Sequence, residues 1–281
     1  HVDELVKIAS LKDFVSSPYT LCRKLEKKGL VKTILQPKIT DPFNIMYPGE
    51  KKKILLSMEQ QEIVETIQSA GDGFHPYLLH GVTGSGKTEV YLKLAQAKVE
   101  SGKSVLVLVP EISLTPQISS RFRRAFGSSV ALWHSRMTKA EKGWTWQQLK
   151  RGQYSIVVGA RSAIFTPLKN LGLIIVDEEQ ESTYKQDNLA PRYHARDVAM
   201  VRGKKANAVV LLTSATPCLE SYYNALQNKF TLLKLTKRFG KSIYPAVKLI
   251  DMKKESSKDE NVFLSKALIG AIDDRLKKSE Q

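Results

Sequence analysis

The chain has 281 residues, enough for one large domain or two modest ones with a self-sufficient core. Its 42% apolar and 26% charged residues are the balance of a soluble globular protein, and no apolar run reaches the roughly 18 residues of a membrane span. Lys plus Arg number 44 against 28 Asp plus Glu, a formal charge of +16, which suits a polyanionic partner through counterion release and equally suits a solvated basic surface.

Only Cys22 and Cys218 occur, far apart and outside any CxxC context. That pattern argues against a disulfide framework or a zinc site and fits a reducing, cytoplasmic compartment. His1-Val2-Asp3 carries neither a signal-peptide pattern nor an initiator Met, so the chain is expected to be a piece of something longer.

Residues 17–31 (SPYTLCRKLEKKGLV) predict a helix that Ser17 and Pro18 start and Gly29 ends, with Leu21 and Leu25 on one face. The apolar alternation after it suggests a partial winged-helix-like module. Residues 36–53, with three prolines and the run Lys51-Lys52-Lys53, read as its linker, so 1–53 form a first unit. From 54 to 235 the pattern changes. Ser57 caps a helix with Ile63, Val64 and Ile67 on one face. Short apolar runs then recur at Tyr77–Leu79, Val105–Val109, Ile156–Val158, Leu173–Val176 and Val209–Leu212, separated by helical stretches. Bare runs of this length suit strands buried on both faces, so an α/β lobe with a mostly parallel sheet is expected. Residues 236–281 are Lys-rich and less regular, with an amphipathic helix over Phe263–Lys278, and read as a connector.

Residues 81–88, Gly-Val-Thr-Gly-Ser-Gly-Lys-Thr, give the full GxxxxGK[ST] pattern between a predicted strand (Tyr77–His80) and a predicted helix (Glu89 to about Val99). Gly84 and Gly86 let the backbone turn N–H groups onto phosphates, and the helix N-terminus adds its dipole. Gly81, Thr83, Gly84, Ser85, Gly86, Lys87 and Thr88 are therefore the expected ATP-binding residues. Lys87 should reach the β- and γ-phosphates, and the Thr88 hydroxyl should hold Mg2+. The alternative is a plain glycine-rich turn, which the strand–loop–helix frame disfavours. Hydrolysis needs an acidic partner, and Leu-Ile-Ile-Val-Asp-Glu over 173–178 supplies one at a strand end. Asp177 is placed to hold the metal through water, and Glu178 to take a proton from the attacking water. Adjacent carboxylates are also common on surfaces; the phosphate loop about 90 residues upstream gives this pair its weight.

Ser214-Ala215-Thr216-Pro217 follows the run Val209–Leu212, and Ser214 and Thr216 could couple the acidic segment to the γ-phosphate. The order of these three motifs resembles that of superfamily 2 helicases with a RecA-like nucleotide-binding lobe. The segments GVTGSGKTEVY (81–91), VPEISLTPQ (109–117), GARSAIFTP (159–167), NLGLIIVDEEQE (170–181), YKQDNLAPRYHARDV (184–198) and SATPCLES (214–221) closely resemble the family of primosomal protein N′, the replication-restart DNA helicases, over about Leu55 to Asp251. The resemblance implies ATP hydrolysis coupled to movement on single-stranded DNA at stalled forks, in the company of single-strand-binding and other primosome proteins. It implies that Gln60 reads the adenine base. Glu111, Ser113, Thr115 and Gln117, and also Arg161, Ser162 and Thr166, then lie in DNA-contacting segments. Tyr184 to His194 resembles the aromatic-rich loop that couples DNA binding to ATP hydrolysis in this family, in which Tyr184 and Tyr193 could stack on bases and Lys185 and Arg192 hold phosphates. Packing aromatics and solvated cations are the alternatives at each position.

The family's usual residue after Asp-Glu-Glu is His, where this chain has Gln180, which can sense nucleotide through hydrogen bonds without titrating near pH 7. The family's zinc-binding cysteines and second motor lobe are expected beyond this chain's end, and a fragment without them is expected to hydrolyse ATP poorly. Trp133, Trp144 and Trp146 read as packing residues. Arg121, Arg123 and Arg124 fit a DNA face or a solvated one, and His134-Ser135 matches a family dipeptide with no chemical role to assign. Two other functions stay open: a different superfamily 2 translocase, and a non-hydrolysing module that binds nucleotide and DNA.

Overall fold

A computed structural model of the chain describes residues 6, 8–34, 55–111, 116–188, 190–238, 247–255 and 263–279. The chain divides into two compact units, His1–Phe239 and Gly240–Gln281. In the first unit a 3-10 turn over Ile8–Asp13 precedes helix α1 (Pro18–Lys27), which Pro18 opens and after which Gly29 turns left-handed at φ 70°. No strand of a wing lies among the described residues here, and the predicted linker 36–53 falls outside them.

The lobe proper is a doubly wound α/β fold. Helix α2 (Met58–Ser69) leads into strand β1 (Pro76–Gly81), then α3 (Lys87–Glu100), β2 (Ser104–Leu108), α4 (Pro116–Phe126), β3 (Val130–Trp133), α5 (Lys139–Arg151), β4 (Ile156–Gly159) and β5 (Leu171–Val176). A short antiparallel hairpin, β6 (Lys185–Gln186) with β7 (Tyr193–His194), precedes α6 (Ala195–Ala206), β8 (Val209–Ser214), α7 (Leu219–Leu226) and β9 (Thr231–Leu235). The seven long strands form one sheet in the order β3-β4-β2-β5-β8-β1-β9, every neighbouring pair parallel. All five strands anticipated from apolar runs are present. Sequence reasoning did not anticipate the four-residue β3 or the edge strand β9, in which Thr231 and Lys234 are exposed and interrupt the apolar run.

Alternation along each strand explains the bare runs. Leu173 and Ile175 of β5, with Val209 and Leu211 of β8, pack with Ile63, Val64 and Ile67 of α2 and Val90, Tyr91 and Leu94 of α3. Their neighbours Ile174, Val176, Val210 and Leu212 face the other way, onto Leu149 of α5, Ala195 and Ala199 of α6 and Ala225 of α7. A strand covered on both sides keeps the period of two but is apolar on both faces along its middle. Trp146 packs on Trp133 with ring centroids 5.9 Å apart, and Trp144 on Tyr154 at 6.4 Å.

In the second unit the described elements are the turn-length helix α8 (Met252–Glu255) and α9 (Lys266–Lys277), which Ser265 caps by accepting the Leu268 N–H at 3.1 Å. Among the described residues no helix is long and apolar enough to cross a membrane.

Candidate functional site

The candidate site is assembled at the C-terminal ends of β1, β5 and β8, where a parallel sheet delivers its loops to one edge. β1 stops at Gly81 and α3 starts at Lys87, so five residues make the turn between them. Gly84 and Gly86 both take φ 79°, a conformation that costs an L side chain about 1–2 kcal/mol. Ser85 N–H donates to the Val82 carbonyl at 3.0 Å and closes the loop. Lys87, 9% exposed, folds back to donate its Nζ proton to the Gly81 carbonyl at 2.9 Å. Thr88 is half-buried on the first turn of α3 and Thr83 is exposed at the loop tip.

Two observations fit this loop to a triphosphate. The Ser85 hydroxyl is buried with no hydrogen-bond partner from the protein, and a Cβ built at Gly84 would meet nothing within 4 Å. The inner side is tight by contrast: a Cβ on Gly86 would collide with Gln60 Nε2, and one on Gly81 would lie 2.7 Å from Ser85 Oγ.

Gln60 is the third residue of α2, and a capping box fixes its backbone. Its Oε1 accepts the Ser57 N–H at 2.8 Å while Ser57 Oγ accepts the Gln60 N–H at 3.4 Å. Its Nε2 donates to the Ser85 carbonyl at 2.8 Å. Gln60 is 1% exposed, and these contacts make it a clamp on the phosphate loop. Its amide is committed to Ser57 and Ser85, so an additional base contact would have to share those atoms.

The acidic motif continues β5. Asp177 N–H donates to the Leu108 carbonyl at 2.9 Å, extending the ladder by one residue. The Asp177 carboxylate is held from both sides, with Oδ1 accepting from Thr213 Oγ1 at 2.6 Å and Oδ2 accepting from the Tyr91 hydroxyl of α3 at 3.1 Å. Burial pushes the Asp177 carboxyl above its ordinary value, against the pull of the Thr213 hydrogen bond. Glu178 then turns left-handed at φ 47° and points at the phosphate loop, its Oε1 4.0 Å from Lys87 Nζ. Its Oε2 accepts from Gln180 Nε2 at 3.0 Å, and Gln180 Oε1 accepts from Ser214 Oγ at 2.6 Å. Ser214 Oγ in turn accepts the Thr216 N–H at 2.8 Å. A single hydrogen-bonded line therefore runs from the Ser-Ala-Thr turn through Gln180 to Glu178, and Glu178 faces Lys87.

The residues expected to face DNA divide. Arg161 sits on a 3-10 turn (Arg161–Phe165) after β4, and its Nη1 donates to the carbonyls of Lys185 at 2.6 Å and Thr183 at 3.3 Å. Its guanidinium lies 5.9 Å from the Tyr193 ring centroid. Tyr193 is half-buried and meets the 47% exposed Phe165 edge to face at 5.0 Å. Ser162, Lys185 and Arg192 are exposed, with Lys185 paired to Asp187 at 3.2 Å and Ser162 accepting from Trp133 Nε1 at 3.2 Å. Glu111 is exposed; Ser113 and Thr115 lie outside the described residues, as does the side chain of Gln117.

Two assignments need correction. Tyr184 is 0% exposed and donates its hydroxyl to the Asp177 carbonyl at 2.6 Å, so it braces the acidic motif from inside the core and offers no face to a base. Thr166 is also 0% exposed, with its hydroxyl donating to the Ala163 carbonyl at 2.7 Å, so it shapes the turn and does not reach the surface. Sequence reasoning also missed Tyr91, Glu179, Arg196 and Phe165. Their partners lie far away in the chain, and only the "VY" and "DEE" strings of the matched segments could have drawn attention to the first two.

A model of the DEAD/DEAH box helicase family matches residues 57–224. The chain is 50% identical over 229 residues to the replication restart protein PriA of Chlamydia trachomatis, covering 80% of this chain and 30% of that protein. It is 42% identical to PriA of Bacillus subtilis over 261 residues, 92% of this chain and 32% of that protein. The chain thus spans about a third of the length of these relatives. Among solved structures, RecG bound to a three-way DNA junction aligns with a TM-score of 0.50 and 24% identity over 79% of this chain and 29% of that one, a likeness of fold. A domain of this family implies a nucleotide and a divalent metal. With a helicase family model over residues 57–224, the chain belongs to the DEAD/DEAH box helicase family, and over most of its length it is similar to PriA replication restart proteins.

Proposed function

We propose that residues 54–235 are the nucleotide-binding lobe of an ATP-dependent DNA helicase acting in replication restart and primosome assembly, in which hydrolysis drives movement on single-stranded DNA at stalled forks. Residues 1–53 then belong to a preceding module and 236–281 to a connector toward a zinc region and a second lobe. The observation that carries this reading is the 4.0 Å approach of Glu178 to Lys87, backed by Gln180 and Ser214.

In this reading Gly81, Thr83, Gly84, Ser85 and Gly86 offer backbone amides to the phosphates, and the orphan Ser85 hydroxyl is a further donor toward them. Lys87 exchanges the Gly81 carbonyl for the β- and γ-phosphates, and Gln60 keeps the loop in shape. Thr88 and Asp177 hold Mg2+, which when bound neutralises phosphate charge. The buried Asp177 carboxyl benefits from a neighbouring cation, because burial disfavours its ionised form. Glu178 takes a proton from the attacking water, and the Gln180 amide orients it. Ser214 and Thr216 couple this line to the rest of the motor. Arg161, Ser162, Lys185, Arg192 and Tyr193, with Glu111 and the 113–117 segment, contact single-stranded DNA. Single-strand-binding protein and other primosome proteins are the expected partners, in the cytoplasm.

The test is made in the full-length protein. Lys87→Ala is expected to abolish nucleotide binding, while Glu178→Gln keeps binding and stops turnover. ATPase activity that single-stranded DNA fails to stimulate overturns the motor reading, and nucleotide binding with no turnover at all leaves a non-hydrolysing binding module in its place.

A further inference from the structure

Beside Glu178 lies a carboxylate that the hydrolysis mechanism does not use. Glu179 is 0% exposed, and its side chain turns away from the phosphate loop. Its Oε1 accepts the Cys218 N–H at 2.8 Å, and its Oε2 accepts from Ser221 Oγ at 2.8 Å and Cys218 Sγ at 3.2 Å. Its charge is met by Arg196 Nη1 at 3.1 Å, from a side chain that is only 14% exposed. The Glu179 N–H donates to the Thr213 carbonyl at 3.0 Å, so backbone and side chain are both fixed.

Arg196 is the second residue of α6, and the hairpin strand β7 (Tyr193–His194) runs into that helix without a break. His194 caps it, its Nδ1 accepting the Arg196 N–H at 3.3 Å. Six residues on, roughly 9 Å along the axis, Arg202 reaches the 161–166 segment. It donates through Nη1 to the Ile164 carbonyl and through Nη2 to the Thr166 carbonyl at 2.6 Å. That same segment holds the hairpin through Arg161, bonded to the carbonyls of Thr183 and Lys185. The 161–166 turn, the hairpin and α6 thus form a closed ring, and the Arg196–Glu179 pair is its ionic attachment to the residue next to Glu178.

We propose that α6 carries the signal from the DNA-facing edge to the acidic motif, with Arg196 as the positioning residue. The proposal rests on the motor reading above and adds to it the residue through which DNA acts. The physical reason is the burial of the pair. A buried carboxylate left without its cation is strongly disfavoured, so Glu179 follows Arg196 when the hairpin moves. Glu178 shares a peptide bond with Glu179 and already sits at φ 47°, where a small rotation redirects its side chain relative to Lys87. Neither Arg196 nor Glu179 touches the phosphate loop, so nucleotide affinity does not depend on them.

The experiment measures ATPase activity of the full-length protein with and without single-stranded oligonucleotide, together with binding of a fluorescent ATP analogue. Arg196→Gln is expected to leave analogue affinity and the DNA-free rate within about threefold of wild type while DNA stimulation falls roughly tenfold, within the usual range for positions along a coupling route. Arg196→Lys, which keeps the cation, should recover most of the stimulation; a purely structural role would lower both rates together. If thermal melting shows Arg196→Gln unfolded, Glu179→Gln combined with Arg196→Gln leaves no lone buried charge, and this double variant should fold and still lack stimulation. Wild-type stimulation in the folded single or double variant overturns the proposal and spares the motor reading. A wild-type protein that DNA does not stimulate overturns both.

Discussion

Replacing Gly86 by Ala puts a methyl group where the inner side of the phosphate loop has no room for one. Two costs add. The left-handed backbone at φ 79° charges an alanine roughly 1–2 kcal/mol. The new Cβ also collides with Gln60 Nε2, whose only escape is to release the Ser85 carbonyl it holds at 2.8 Å. Losing that bond in a residue 1% exposed leaves buried groups unmatched, at a further ~1–3 kcal/mol. Gly84→Ala is the internal control, since it has the same φ of 79° and open space around its Cβ. The expected losses are thus roughly 2–5 kcal/mol for Gly86→Ala and about 1–2 kcal/mol for Gly84→Ala. In a Gln60→Ala background the Gly86→Ala penalty should fall to the strain alone, a coupling of at least about 1 kcal/mol. Equilibrium urea unfolding can follow this through Trp133, Trp144 and Trp146, all of which lie in the lobe. Equal losses at the two glycines, or a Gly86→Ala penalty indifferent to Gln60, would refute the clamp.

Asp177→Asn should raise the melting temperature of the nucleotide-free, metal-free protein at pH 7 by about 2–4 °C, on the order of 1 kcal/mol. The folded Asp177 carboxyl titrates above its unfolded value of 3.8, so the stability it contributes is full below pH 3.8 and is lost as pH rises through the raised value; the advantage of Asn must therefore shrink on acidification. His194 is shifted downward from 6.5, first by burial and then by Arg196, so the unfolded chain takes up a proton before the native one does. Stability should consequently fall as pH drops below about 6.5 and level off once the folded ring titrates, and His194→Asn, a capping residue that does not titrate, should flatten that part of the profile. Tyr184→Phe should cost about 1 kcal/mol in urea unfolding through the lost bond to Asp177 and leave DNA affinity unchanged. Tyr193→Ala should instead weaken single-stranded DNA binding by about 1–3 kcal/mol in a fluorescence anisotropy titration.

The phosphate loop and the acidic strand end were legible because their chemistry is local. Gly84, Gly86, Lys87 and Thr88 lie within five residues, and positive φ and phosphate contact both demand particular residue types there. Beyond the expected coupling of the Ser-Ala-Thr turn to the acidic segment, the particular contacts that make the site a unit were not legible, because each joins single groups far apart in sequence. Gln60 meets Ser85 25 residues away, Gln180 meets Ser214 34 residues away, and Glu179 meets Ser221 42 residues away. Periodicity has nothing to say about such pairs. Tyr184 shows a second limit. Its neighbourhood resembles an aromatic-rich loop in sequence, but aromatic character gives no direction, and a three-residue 3-10 turn (Ser182–Tyr184) curls this ring under the end of β5. Phe165, in the apolar-looking Ala-Ile-Phe string, ended up 47% exposed beside Tyr193.

The strand order supplies what residue identities could not. β8 lies between β5 and β1, and its register is fixed on both sides, with Leu212 opposite Val176 and also opposite Leu78, and Ser214 opposite His80. The last two residues of β8 therefore come level with the ends of both neighbours. Thr213 reaches Asp177 at 2.6 Å and Ser214 reaches Gln180 at 2.6 Å. A slip of one residue would exchange the faces of those two hydroxyls and break both contacts at once. The Ser-Ala-Thr turn communicates with the acidic motif because two apolar ladders of Val, Leu and Ile hold one strand in phase with its neighbours. The polar line from Ser214 to Lys87 is thus a consequence of core packing, and substitutions that loosen β8, however far from the phosphate loop, act on the same line.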